Sequence, residues 1–110
     1  MIKSYYILSL LIGTNTVLAD GLDDVKKGFD AASRGEYEMA IFYYTEAIDS
    51  MELSQESLTQ AYHNRGMVHS IKGQYDRAIQ DFDQTILLNP QFVFAYGNRG
   101  RAYYLKGQYD

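Results

Sequence analysis

A block of sixteen residues occurs twice in this chain. Ala61-Tyr-His-Asn-Arg-Gly-Met-Val-His-Ser-Ile-Lys-Gly-Gln-Tyr-Asp76 returns 34 residues later as Ala95-Tyr-Gly-Asn-Arg-Gly-Arg-Ala-Tyr-Tyr-Leu-Lys-Gly-Gln-Tyr-Asp110, with ten of 16 positions identical. A period of that size marks an array of small units, each burying its apolar side against the next. A fainter copy lies upstream: Gly28, Gly35, Tyr37, Ala40 and Tyr44 match Gly66, Gly73, Tyr75, Ala78 and Phe82 at an offset of 38. The four additional residues are expected in the polar segment 52–60, where a loop can absorb them.

Each copy reads as two helices. Tyr62, Gly66 and His69 share one stripe at i, i+4 and i+7. Gly73 then ends the first helix, because glycine enters the left-handed region without a Cβ penalty. Lys72 beside it meets the negative end of the helix dipole. Ala78, Phe82, Thr85 and Ile86 form the apolar stripe of the second helix, and Asn89-Pro90 ends it, since the residue before proline is disfavoured in a helix. Five helices follow: 22–33, 37–51, 57–71, 75–88 and 92–106. Gly28, Gly66 and Gly100 recur inside first helices, where glycine costs about 1 kcal/mol against alanine. That recurrence implies a packing need, with Gly66 expected to face Ala78 while Tyr62, Tyr75 and Phe82 fill the surrounding space.

The arrangement resembles the tetratricopeptide repeat family, whose pattern runs W-x2-L-G-x2-Y, then A-x3-F, then P. The second copy reads Tyr62-x2-Arg65-Gly66-x2-His69, Ala78-x3-Phe82, Pro90, and the third Tyr96-x2-Arg99-Gly100-x2-Tyr103. The first is degenerate, with Gly28, Ala40-x3-Tyr44 and no proline. Tyrosine replaces the family's tryptophan, and arginine its leucine, both at positions read as half-exposed. The resemblance implies an all-α fold, a right-handed α-solenoid of helix-turn-helix repeats. Residues 20–58 form a degenerate first repeat, 59–92 a second, and 93–110 the first helix of a third.

Residues 1–19 read separately, as an export signal. Lys3 supplies a positive start, Tyr5 to Gly13 a mostly apolar stretch, and Val17-Leu18-Ala19 a small-residue cleavage site. The stretch is too short to span a bilayer, which takes about 20 apolar residues. The expected location is therefore periplasmic or secreted, with no stable membrane span after cleavage. The sequence has no Cys, which excludes disulfides and thiolate chemistry. Its formal net charge of −4 disfavours nucleic acid as a partner. Acidic residues gather in 20–56 and basic ones in 57–110, two solvated faces or a bipolar field that orients a partner.

Little supports catalysis, and no enzyme activity, cofactor or metal is expected. His63 and His69, the only histidines, lie six residues apart, about 240° around a helix at 3.6 residues per turn, so they cannot share a metal. His69 reads as a packed core histidine. Asp81 and Asp83 are i, i+2 and point different ways. Met39, Met51 and Met67 read as core or rim fillers.

Binding has a place. The resemblance implies a concave groove lined by the first helices: Lys26 and Phe29 (with Val25) in the first copy, His63, Asn64 and Met67 (with Ile71) in the second, Phe94, Asn98, Arg101 and Tyr104 in the third. Asn64 and Asn98 are equivalent positions, and a ladder of side-chain amides can clamp an extended peptide or bond locally. The carboxylate clamp of the family's co-chaperone members is not expected. Val25 and Phe29 stand where its first Lys and Asn would be, Phe94 and Asn98 where its later Lys and Arg would be, and Asn64 alone matches. The expected function is a non-catalytic scaffold that binds a protein or peptide segment. Two alternatives stay open: self-assembly through the uncapped last helix, with its exposed Phe94, Tyr96 and Tyr103, or the N-terminal fragment of a larger protein, an enzyme included.

Overall fold

The computed structural model describes residues 16–109, with side chains from residue 21 onward. Most of the segment read as an export signal lies outside the described residues. Five helices follow one another: α1 (Thr16–Ser33), α2 (Tyr37–Asp49), α3 (Gln55–Ile71), α4 (Tyr75–Leu88) and α5 (Val93–Tyr109). Among the described residues there is no strand. Each helix packs mainly on its neighbours in the chain, so the array is an all-α solenoid.

The turns inside the two helix pairs are copies of each other. Gly35 and Gly73 both take φ of 76°, in the left-handed region. The amide of Glu36 donates to the Ala31 carbonyl at 2.9 Å, and that of Gln74 to His69 at 2.8 Å. These i→i−5 bonds close Schellman motifs that satisfy the last carbonyls of α1 and α3. Lys72, expected to face the α3 dipole, also pairs with Glu38 of α2.

Helix boundaries differ from the sequence expectation in several places, and α5, expected over 92–106, runs on to Tyr109 through Gly107. α1 begins at Thr16, not Leu22, and so runs across the expected cleavage boundary at Ala19–Asp20. α2 stops at Asp49 rather than Met51: Met51 has φ of 59° and lies 91% exposed, so it is neither core nor helix. α3 starts at Gln55, two residues early, because the Ser54 hydroxyl accepts the Ser57 amide at 3.1 Å and caps the helix. α4 ends as expected, with Asn89 extended before Pro90.

Two apolar clusters hold the array. Ala31, Ala40, Tyr44 and Val68 form the first, and Ala78, Ile79, Phe82 and Ala102 the second. The nearest neighbours of Gly66 are Phe82 and Asp81. A Cβ there would lie 2.8 Å from the Phe82 ring, closer than real contacts allow, and a tight 3.1 Å from the Asp81 Cβ. Gly28 meets Tyr44 at the same 2.8 Å. Ala78 belongs to the second cluster, with Ala102 of the following helix.

An arginine ties each junction. Arg65 donates through Nε and Nη2 to the two oxygens of Asp81, at 2.8 and 2.7 Å, and through Nη1 to the Thr45 hydroxyl at 3.1 Å. It thus joins α3 to its own partner α4 and to α2 of the preceding pair. Burial opposes its charge most strongly, but the Asp81 hydrogen bonds together with the attraction of Asp81 and other nearby groups hold the guanidinium pKa above its ordinary value. Arg99 repeats half of this pattern, donating from Nη1 to Asp83 at 2.8 Å. Asp83 is the repeat equivalent of Thr45, so the inter-pair bond recurs. The position read as a half-exposed replacement for leucine is therefore a structural ion-pair site.

Candidate binding groove

α3 and α5 run side by side over α4, and a hollow of about 130 Å³ opens between them. Met67 and Ile71 line it from α3, Ala102 and Leu105 from α5, and Phe82 forms part of its floor from α4. Ser70, Asn98 and Arg101 add polar groups. The lining follows helical spacing: 67, 70 and 71 on one side, 98, 101, 102 and 105 on the other. The i, i+3, i+4, i+7 stripe through Asn98 could have named Ala102 and Leu105 from the sequence.

Four of the expected groove residues, Met67, Ile71, Asn98 and Arg101, meet in this hollow. Arg101 is exposed and forms no ion pair among the described residues. His63 is buried instead of lining a surface. Its ring lies 4.8 Å from Phe92 and 5.7 Å from Phe82, centre to centre, and its Nε2 is 3.0 Å from the Asn98 amide nitrogen. Burial pushes the His63 pKa below its ordinary value. The neutral ring then accepts the Asn98 N–H at Nε2, with its own proton on Nδ1.

Asn64 is half-buried and works on Tyr44. Burial raises that phenol to about 12, and a hydrogen bond with Asn64 acts the other way. Both asparagines have a local partner, Tyr44 for Asn64 and His63 for Asn98. Asn98 spends a donor on His63, which leaves its carbonyl oxygen as an acceptor beside Arg101. Lys26 and Phe29 stand exposed on α1, and Phe94 and Tyr104 on α5, all four outside the hollow's lining. His69 is packed as expected, and it is also bonded: Nδ1 lies 2.7 Å from Gln74 Oε1 and Nε2 3.8 Å from Asp81. No group of three His, Asp or Glu suited to a metal occurs among the described residues. No described helix is long and apolar enough to cross a membrane.

Residues 59–92 match the family model described as Tetratricopeptide repeat. Over 69 residues, 63% of this chain, the sequence is 38% identical to mouse (Mus musculus) Tetratricopeptide repeat protein 12. That match spans only 9% of the mouse protein's length. Among solved structures, the Arabidopsis OM64 TPR domain is similar with a TM-score of 0.75 at 25% identity, over 84% of this chain and 74% of that one. The repeated turns, the glycine–aromatic contacts and these likenesses agree on one architecture, an all-α solenoid of the tetratricopeptide repeat type.

Proposed function

We propose that this chain is a non-catalytic interaction module that binds an extended protein or peptide segment in the groove between α3 and α5. The observation that carries this reading is the 130 Å³ hollow with an apolar floor and a free guanidinium at its edge. A hollow of that size takes one aliphatic side chain, while Arg101 meets a carboxylate and the Asn98 carbonyl accepts a backbone amide. The likeness to tetratricopeptide repeat proteins supports the same class of function.

Selection from a displayed peptide library tests this reading. The enriched peptides are expected to pair an aliphatic residue with a nearby Asp or Glu. Arg101→Ala with Ile71→Ser, both exposed and free of structural bonds, should weaken such peptides by about tenfold or more, the worth of one charged hydrogen bond. The circular dichroism spectrum should stay unchanged. Peptides that bind the double variant equally well would place recognition elsewhere.

We also propose that the chain is exported, on the strength of the charge and apolar pattern of residues 1–19. Fusing residues 1–25 to a reporter active only outside the cytoplasm should give signal, and Ile7→Asp with Leu11→Asp should abolish it. A silent wild-type fusion rejects export.

A further inference from the structure

His63 joins a buried, titratable ring to the amide that lines the hollow. It is 7% exposed and packed on the Phe82 and Phe92 rings. Its Nε2 meets the Asn98 amide nitrogen at 3.0 Å, and Asn98 stands in the hollow with Arg101. A neutral imidazole accepts at Nε2, whereas a charged one can only donate there. The groups that face the ring are neutral: α4 presents Phe82, the turn after it Phe92, and α5 Asn98. Its own helix adds Asn64, which also bonds the titratable Tyr44 phenol of α2. Of the nearby charges, Asp81 is held by Arg65 and Asp83 by Arg99, while Arg101 opens onto the hollow. Burial lowers the His63 pKa, and the Asn64 hydrogen bond acts the other way.

We propose that His63 sets the hydrogen-bonding polarity of the groove through Asn98, and that protonation of the ring reverses it. This rests on the groove reading given above. With the ring neutral, Asn98 gives an N–H to His63 and shows its carbonyl to the hollow. With a proton on Nε2, Asn98 turns over, its carbonyl to the ring and its NH2 to the hollow. The two ends of a primary amide are nearly equal in size, so the turn needs no repacking.

The ligand chemistry changes with it. Above the transition the groove offers an acceptor beside a guanidinium, and takes a backbone N–H together with a carboxylate. Below it the groove offers two donors, Asn98 and Arg101, and takes the carboxylate alone. His63 is a positioning residue throughout, since it acts on the ligand only through Asn98.

The first test needs no ligand. In the full chain labelled with nitrogen-15, the ring nitrogens of His63 and the side-chain NH2 of Asn98 are followed as pH falls. At neutral pH the ring proton is expected on Nδ1, with Nε2 bare. The His63 midpoint should lie below the ordinary value of about 6.5, and the Asn98 signals should move with it and not with His69. The second test uses N-acetyl-leucine, which has an aliphatic side chain, a carboxylate and one amide N–H, and its N-methylated analogue, which lacks that N–H. Above the His63 midpoint, methylation should weaken binding about two- to tenfold, the worth of one neutral hydrogen bond. Below it the two probes should bind alike. In His63→Gln, which cannot gain the charge, the effect of methylation should not vary with pH. The proposal is overturned if Nε2 carries the proton at neutral pH, if Asn98 ignores the His63 transition, or if the ring stays neutral down to about pH 4.5, near which the probe's own carboxylate begins to protonate. Shifts at Met67 and Ile71 with the same methylation effect at both pH values overturn it too and leave the groove reading standing. No shifts there at either pH reject the groove reading itself.

Discussion

Gly66→Leu is expected to destabilise the array by about 1–3 kcal/mol or more, and the equivalent change at Gly100 is not. A Cβ at Gly66 enters within 2.8 Å of the Phe82 ring and 3.1 Å of the Asp81 Cβ, and Phe82 is fully buried with no free side to retreat into. Relief requires α3 and α4 to separate, which opens both the second apolar cluster and the Arg65–Asp81 pair. At Gly100 there is no atom within 4 Å. Gly100→Ala should instead raise stability by about 0.5–1 kcal/mol, because alanine loses less backbone freedom in a helix than glycine. Urea titrations followed by circular dichroism measure both. Changes of the same sign at the two sites would mean that the close α3–α4 approach is wrong.

The second large effect lies in two aspartates that sit two residues apart. Asp81→Ala is expected to cost about 3–5 kcal/mol, since it leaves the Arg65 guanidinium in a mostly covered site without its carboxylate. Asp81 is 5% exposed at its side chain and Arg65 18%. The loss extends to His69, whose Nε2 lies 3.8 Å from the same carboxylate. Asp83→Ala should cost about 0–1 kcal/mol, because its pair with Arg99 is 47% and 33% exposed and is screened by water. Replacing Arg65 and Asp81 together by Leu should recover most of the single-mutant loss, as no unpaired charge then remains buried. A small array has only about 5–15 kcal/mol to lose. Asp81→Ala can therefore appear as loss of the cooperative transition at 37 °C. Equal midpoints for the Asp81 and Asp83 variants would contradict the assigned pairing.

Both predictions show where sequence reading works and where it stops. The recurrence of glycine at 28, 66 and 100 announced a close helix approach, and the structure finds it at the first two. The nearest neighbours of Gly66 are Phe82 and Asp81, and Ala78 is buried in the cluster that also holds Phe82 and Ala102. The separate directions of Asp81 and Asp83 were legible from their i, i+2 spacing, but their destinations were not. Arg65 looked like a substitution at a half-exposed site, because its partner lies 16 residues away across a turn. In the groove, Met67, Asn98 and Arg101 were named from the sequence and do line one hollow. His63 was named with them and is buried, bonded to Asn98 over 35 residues.

The sequence by itself determined the period, the helix–turn–helix unit and the positions of the turns. Those depend on local causes: a 34-residue recurrence, glycine at positive φ, proline after Asn89, and apolar stripes at helical spacing. The tertiary structure alone decided how the polar side chains are spent. Arg65, Asp81, His63 and Asn98 find partners on neighbouring helices, and those meetings depend on the rotation and offset of one helix against the next, set by how Phe82 and Tyr44 seat on glycine. A hydrogen bond needs alignment within a few tenths of an ångström, which spacing along one helix does not encode. The same packing seats Phe82 on Gly66 and Tyr44 on Gly28.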